Sequence, residues 1–181
     1  LVVVIGLVGV LAYRQREAAW QQSVDAISRK VLEDFPVNEV AKITIRQGDE
    51  AVTLVRREGL WRVEDRYGYA ADFGKITQFL RNLADLNAVQ RLPVGEAQYG
   101  RLNLLPADAD DPQKAGTAVT FLDKDGGEIA SLRFGKQHER PSEGGQGGWS
   151  DGRYLLVPGS DKVVLVSEAF TNVKTDPKTW L

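Results

Sequence analysis

Residues 41–63, AKITIRQGDEAVTLVRREGLWRV, contain the pattern that decides the fold. In the first part, Ile43 and Ile45 alternate with polar side chains, which is the period of a strand with one buried face. The short turns QGD and EG separate this strand from two more, and Trp61 and Val63 share a face of the last one. Because turns this short join antiparallel neighbours, the stretch predicts a β-meander.

A single main helix is predicted downstream of the meander. Asp72 can accept the N–H groups of a first helical turn and is therefore the predicted N-cap. The side chains that recur at helical spacing and are expected to face the core are Phe73, Ile76, Phe79, Leu80, Leu83 and Leu86. Asn87 tolerates left-handed backbone and is the predicted terminator. Residues 88–92 then predict a strand that Pro93 stops.

Two β-hairpins are predicted in the second half of the chain. One joins 118–122 to 128–134 through the turn DKDGG, and the other joins 153–157 to 162–166 through PGSD. The fold class is therefore α+β: an N-terminal membrane-anchor helix, then antiparallel β-hairpins and a meander packed with one main helix.

The segments between these elements have weaker patterns. Residues 94–116 are expected to be irregular and to pack back on the core through Tyr99, Leu102, Leu104 and Leu105. Residues 136–150 are polar and rich in glycine, which predicts a loop. Residues 168–172 are expected to start a short helix.

The composition excludes most common sets of catalytic residues. The 181-residue chain has no cysteine, one histidine (His138), and 23 basic against 25 acidic residues, for a net charge of −2. Without cysteine there is no disulfide framework, thiolate metal site or thiol nucleophile. The balanced charge gives no electrostatic reason to expect nucleic acid as a partner.

The local motifs that resemble functional sites are better explained as turns and surface. Asp123, Asp125 and Glu128 resemble a calcium loop, but strands flank them and an Asp-Gly turn predicts a hairpin. The acidic run at 108–111 is expected to be solvated charge. His138, in the polar loop with neither a partner nor a rigid mount, is predicted to be a surface histidine. We therefore predict a non-enzymatic protein with no catalytic residue, cofactor or metal site.

The chain begins with thirteen uncharged residues, LVVVIGLVGVLAY. As a helix these would span roughly 20 Å, against roughly 30 Å of bilayer hydrocarbon, so residues 1–13 are predicted to be a truncated transmembrane anchor. A core helix would need a polar face, and a cleaved signal peptide would need a small-residue cleavage site. An uncleaved signal anchor is therefore favoured.

Residues 14–34 predict a juxtamembrane helical stalk, which Phe35-Pro36 ends. Its apolar stripe, at spacings of four, three and four, consists of Trp20, Val24, Ile27 and Val31. The stripe either docks on its own domain or packs against a partner's transmembrane helix or a second copy. It is too short to indicate a coiled coil.

Four aromatic residues outside the helix are candidates for the core or for an interface. Trp61 alternates into a core face, whereas Tyr67, Tyr69 and Trp149 lie in predicted loops. Exposed loop aromatics anchor interfaces or stack on sugars, although burial is the commoner fate of such residues. Tyr67, Tyr69 and Trp149 join the stalk stripe as candidate partner-binding residues.

A family resemblance rests on packing and turn motifs. These are FPVNEVAKITI at 35–45, LWRV at 60–63, YAAD at 69–72, LRNL at 80–83, LRFGK at 132–136, and the strands at 153–157 and 163–166. Together they resemble the bacterial domain-of-unknown-function family four-three-four-zero. The resemblance implies a membrane anchor, an extracytoplasmic α+β region of repeated strand-rich units, and an association with auxiliary components of ABC-2 export systems, including the gliding-motility type. It implies no catalytic residues.

The domain organisation follows from these patterns. After the anchor and stalk we expect an α+β domain over 35–173, with units at 35–92 and 117–167, and a truncated linker at 174–181 to a second similar unit. The expected location is the bacterial inner membrane, with a single N-terminal span and a periplasmic domain.

The resemblance leads to an expected function and to alternatives. The expected function is an accessory or scaffold subunit of an ABC-type transport complex, whose partners are the permease/ATPase complex, the membrane and an envelope polymer. A stand-alone module that binds envelope glycan or peptide through loop aromatics is the alternative. A hydrolase with dispersed carboxylates ranks third.

Overall fold

The computed structural model describes residues 30–140, 149–160 and 162–181. This part of the chain contains nine strands, one α-helix and four 3₁₀ segments. The strands are β1 (Lys42–Gln47), β2 (Glu50–Arg57), β3 (Leu60–Val63), β4 (Tyr69–Ala70), β5 (Ala88–Leu92), β6 (Thr117–Leu122), β7 (Glu128–Arg140), β8 (Trp149–Val157) and β9 (Lys162–Val166). The α-helix, α1, is Phe73–Ala84, and the 3₁₀ segments are Val37–Glu39, Glu64–Arg66, Glu96–Leu102 and Pro177–Trp180.

The nine strands form one antiparallel sheet in the order β4-β3-β2-β1-β6-β7-β8-β9-β5. Strand β1 pairs with β2 on one side and with β6 on the other, so the two predicted β regions share a single sheet. Strands β4 and β5 lie at opposite edges although only α1 separates them along the chain. The helix therefore crosses the sheet from one edge to the other.

The main core lies between α1 and the sheet face that it crosses. Ile76, Phe79, Leu80 and Leu83 of the helix are buried, as the predicted stripe requires. On the sheet, Ile43 is paired with Leu54 and Phe121, and directly paired residues project from the same face. These paired side chains are fully buried. Trp61 of β3 is only 4% exposed, which confirms that it lies in the core as predicted.

A second, smaller cluster covers the other face of the sheet near β8 and β9. Leu156 and Val163, which are paired, pack there with Tyr99 and Leu104 from the segment between β5 and β6. Leu102 and Leu105 are partly buried against the same cluster. The prediction that this segment packs back on the protein is confirmed, although part of it is a 3₁₀ helix rather than irregular chain.

The start of α1 is predicted correctly, but one member of its stripe is not. The Asp72 carboxylate accepts a hydrogen bond from the Lys75 N–H at 3.0 Å and caps the helix. Phe73 was expected in the core but is 61% exposed. Trp180, which is distant in sequence, is buried beside Phe79 in the middle of the helix.

Two boundaries in the second half differ from expectation. The loop predicted over 136–150 is strand at both ends, because β7 continues to Arg140 and β8 begins at Trp149. Residues 141–148 lie outside the described part. The short helix predicted at 168–172 is wrong: residues 168–170 are irregular and 171–172 form a turn, with Phe170 buried at a φ of 47°.

The boundaries of the domain also differ from the predicted ones. Residues 174–181 were expected to be a linker, but Trp180 is buried in the main core and the Asp72 N–H donates to its carbonyl oxygen at 2.8 Å. At the other end, residues 31–34 of the predicted helical stalk form bends and a turn. Lys30 forms a bridge with Asn87, which explains why the chain is extended there; Asn87 itself lies past the end of α1 at Ala84.

No helix among the described residues is long and apolar enough to span a bilayer. The predicted anchor at 1–13 lies outside the described residues, as does the stalk up to residue 29.

Candidate functional site

The β7–β8 hairpin extends beyond the end of strand β6. Strand β6 begins at Thr117, opposite Phe134, whereas β7 continues to Arg140 and remains paired with β8. On the other side of residues 136–140, no strand of the described chain is paired with β7. We call residues 136–140 the free edge of β7.

A β-bulge lies where the free edge begins. The register of β7 with β8 shifts between Phe134 and Gln137, and a bulge bends a strand locally. Gly135 occupies this bulge, and a Cβ atom there would clash with the Leu102 carbonyl oxygen and the Leu104 side chain. Only glycine therefore permits the close approach of these two segments.

A cleft of about 960 Å³ lies along the free edge of β7. Besides β7, the cleft is bordered by the β1–β2 turn, the start of β6, and residues 171–176 near the end of the described chain. Its lining side chains include Gln47, Glu50, Asn103, Thr117, Lys136, Gln137, His138, Glu139, Arg153, Tyr154, Thr171, Lys174, Thr175 and Asp176.

Arg153 of β8 fixes the floor of the cleft. Its Nε donates to the Gly135 carbonyl oxygen and its Nη1 donates to the Phe170 carbonyl oxygen, both at 2.8 Å. Its guanidinium carbon also lies 5.4 Å from the centre of the Phe134 ring. Burial lowers the pKa of Arg153 to about 10, so the side chain remains cationic at neutral pH.

Hydrogen bonds between segments hold the opposite wall. The Thr117 hydroxyl donates to Gln47 Oε1 at 3.1 Å, and Gln47 Nε2 donates to the Ala115 carbonyl oxygen at 3.3 Å. The Thr175 hydroxyl donates to a Glu50 carboxylate oxygen at 2.7 Å. These contacts tie the β1–β2 turn to β6 and to the C-terminal segment, so the cleft is built from parts distant in sequence.

The charges lining the cleft are balanced. Three cationic side chains, Lys136, Arg153 and Lys174, accompany three carboxylates, those of Glu50, Glu139 and Asp176. A ligand of strong single charge would meet repulsion from one set or the other. The lining favours a polar ligand that carries both kinds of hydrogen-bonding group.

His138 has the partner that the sequence did not reveal. It lies on β7 rather than in a loop, and its Nδ1 is 2.6 Å from Asp151 Oδ1. Its ring also meets that of Tyr154 edge-on, with 5.9 Å between centroids. The side chain is about one-third exposed. His138 therefore lies at the rim of the cleft, with its ring oriented by Asp151 and Tyr154.

A second surface lies at the β4 edge of the sheet, where exposed aromatic residues are close together in the sequence. Tyr67 is 98% exposed and has a φ of 53°, and Tyr69 on β4 is 66% exposed. Phe73, the first residue of α1, follows them. We call Tyr67, Tyr69 and Phe73 the aromatic corner.

The backbone that carries the aromatic corner is held firmly. Arg62 donates to the Gly68 carbonyl oxygen at 3.0 Å, and the Ala71 N–H donates to the Trp61 carbonyl oxygen at 2.9 Å. Tyr69 is paired with the buried Val63 and so lies on the face that α1 covers, but at its outer edge. Exposed Leu60, one residue from buried Trp61, projects from the opposite face.

The remaining candidate residues have different positions. Val31 of the stalk stripe is half-buried against the main core, and its N–H donates to the Leu86 carbonyl oxygen at 2.9 Å. Trp20, Val24 and Ile27 lie outside the described residues, and so does the side chain of Trp149. The structure thus leaves Tyr67 and Tyr69 exposed, two residues apart, and packs Val31 against its own domain.

The acidic motifs have local roles. Asp123 Oδ1 accepts the N–H groups of Asp125 and Gly127, both at 2.8 Å, which confirms the predicted hairpin turn. Asp111 pairs with Lys114 at 2.8 Å, and this contact lowers the pKa of the carboxyl group. Within the described ranges, no group of three or more histidine and acidic side chains is placed to hold a metal ion.

The cleft is not predicted because the residues that form it have only a weak pattern in the sequence. Residues 136–140, KQHER, are all polar and show no alternation with apolar residues. The one local signal is Gly135 within an otherwise regular strand pattern, which is typical of a bulge or of a close backbone approach.

Comparison with known sequences identifies a family. Residues 61–181 match the family described as "Domain of unknown function (DUF4340)". Among curated proteins and among solved structures, no match to this chain is found.

Proposed function

We propose, from the premise that this chain belongs to the DUF4340 family, that it is a non-enzymatic accessory or scaffold subunit of an ABC-type transport complex in the bacterial envelope. Its partners in this proposal are the permease and ATPase of the complex and the membrane. Residues 1–13 anchor the chain in the inner membrane, and the α+β domain lies on the periplasmic side.

The aromatic corner is the observation that supports a protein-binding role. Tyrosine and other aromatic residues are enriched at the centres of interfaces, because they bury a large area at little cost in conformational entropy. Tyr67 leaves almost its whole side chain in water, which has no benefit to the isolated domain. The corner includes Tyr69 of β4, an edge strand of the sheet, so its side chains lie where another protein can approach the domain.

Val31 holds the start of the described chain against the domain. Its contacts with the core and its N–H bond to the Leu86 carbonyl oxygen fix residue 31 beside the segment that follows α1. In this proposal, the domain presents the aromatic corner to its partner at a fixed position relative to residue 31.

Co-purification tests the proposal. The tagged chain is expressed with the permease and ATPase of an ABC-2 transporter from the same genome, and the permease recovered per tagged chain is measured. Truncation of an aromatic side chain at an interface often costs more than about 1 kcal/mol of binding free energy. The double variant Tyr67→Ser with Tyr69→Ser should therefore reduce the recovered permease at least about tenfold.

Leu60→Ser is the matched control. Leu60 is also an exposed apolar residue of the β3–β4 region, but it projects from the other face and should leave recovery unchanged. Melting temperatures of all variants separate lost binding from lost folding. Equal recovery with the double variant and the wild type would contradict the proposed role of the corner.

A further inference from the structure

We propose that the cleft beside β7 binds one extended peptide segment, which pairs with the free edge of β7 as an added strand. This inference goes beyond the accessory role and does not depend on it, because the cleft and the aromatic corner are on different strands. The ligand class is a polypeptide in β conformation that carries polar side chains of both charge signs.

The free edge supplies the main-chain recognition. In an antiparallel pair, alternate residues of an edge strand direct their N–H and C=O groups outward, ready for another strand. Residues 137–140 are paired with β8 on one side, with a register shift between His138 and Glu139, and with no described strand on the other. At about 3.4 Å per residue, this edge matches a peptide of about five residues.

The position of the edge explains why one strand fits there. A peptide that pairs with residues 136–140 and runs antiparallel to β7 would continue the line of β6, which pairs with β7 up to Phe134. Its other side would meet the wall formed by the β1–β2 turn and residues 171–176. We therefore expect a single strand, rather than a second sheet, to occupy the cleft.

The lining side chains favour peptide over other polymers. Among the lining side chains that the structure describes, Phe134 is buried, and Tyr154 at the rim is the one partly exposed aromatic ring on which a sugar could stack. Lys136 and Lys174 can pair with carboxylates of the peptide, and Glu50 and Asp176 can pair with its basic side chains. A polyanion would be repelled by the second pair.

Selection of linear peptides followed by an N-methyl scan tests the inference. Twelve-residue peptides displayed on phage are selected on the 181-residue chain, and the strongest binder that carries a carboxylate is synthesised with a fluorescent label. N-methylation removes one amide donor at a time. Along the bound stretch, every second N-methyl group should weaken binding about tenfold, and the intervening ones should have little effect.

Charge reversal in the cleft locates the binding site. Lys136→Glu and Lys174→Glu should each lower the affinity for the same peptide about tenfold, because each replaces an attraction to the peptide carboxylate by a repulsion. Lys162→Glu is the matched control, because Lys162 is an exposed lysine of β9 that does not line the cleft. It should leave the affinity within about twofold.

Three outcomes would overturn the inference. These are N-methyl effects that do not alternate, affinity that is insensitive to Lys136→Glu and Lys174→Glu, and a failure to select any peptide whose binding the two variants weaken. Sedimentation of the unliganded chain gives a further check. A dimer that Lys136→Glu dissociates would show that a second copy, rather than a peptide, covers the edge.

Discussion

The indole of Trp180 lies against the ring of Phe79 at 5.7 Å between centroids, and it joins the last residues of the chain to the middle of α1. The Trp180 side chain is fully buried, and its Nε1 donates to the Lys174 carbonyl oxygen at 3.1 Å. The segment 174–181 is therefore part of the folded domain rather than a linker.

We expect Trp180→Ala to lower the free energy of unfolding by about 3–5 kcal/mol, because it leaves a large cavity beside α1. Denaturant titration followed by circular dichroism measures the change. Leu181→Ala, at a neighbouring exposed position, should change stability by less than about 0.5 kcal/mol. A small effect of Trp180→Ala would mean that the segment is dispensable.

The capping bond of α1 gives a second prediction. Asp72→Ala should cost about 1 kcal/mol, because it removes the side-chain oxygen that accepts the Lys75 N–H. Asp72→Asn retains an acceptor and should restore most of the loss. Unfolding free energies of the two variants make the comparison, and equal losses would argue that the charge rather than the cap matters.

The local patterns explain how much of the fold was predictable. Strands β1 to β3 and the hairpins of β6 to β9 were predicted because each buries one face and is joined by a short turn. The end of β7 was not, because residues 136–140 have no apolar side to produce an alternating pattern. Phe73 was misplaced because its helical spacing fits the stripe, whereas burial at the first residue of the helix depends on tertiary packing that spacing does not show.

The two candidate surfaces were predictable to different degrees. Tyr67 and Tyr69 stood out as aromatics in a turn-rich segment, and the structure finds both exposed. The pairing of His138 with Asp151 follows from the register of β7 and β8 across a bulge. Register of that kind is a property of the assembled sheet, and no local spacing indicates it.

Arg153 provides a third prediction, on the floor of the cleft. Arg153→Met should lower the free energy of unfolding by about 2 kcal/mol, because the Gly135 and Phe170 carbonyl oxygens lose their donor. Arg56→Met is the control, since Arg56 also donates to a backbone carbonyl, that of Asn38, but in an exposed position. It should cost less than about 0.5 kcal/mol, and equal costs would contradict the structural role of Arg153.

The Asp111–Lys114 pair gives a prediction on pH dependence. The hydrogen bond from Lys114 lowers the pKa of Asp111, so the pair stabilises the fold above the usual carboxyl range. That contribution is lost as the pH falls through the lowered pKa. In an NMR titration of the Asp111 carboxyl, Lys114→Ala should raise its pKa toward the usual value of 3.8, whereas Lys124→Ala should not. An unchanged pKa in Lys114→Ala would contradict the pairing.

The most direct test of the central claim is site-specific photo-crosslinking in cells at position 67. A photoreactive phenylalanine analogue replaces Tyr67, and the control positions are Leu60 on the other face and Lys124 in the β6–β7 turn. The accessory-subunit proposal predicts that position 67 crosslinks to the permease of the transport complex and that positions 60 and 124 do not. Equal crosslinking of the permease from all three positions, or none from position 67, would contradict it.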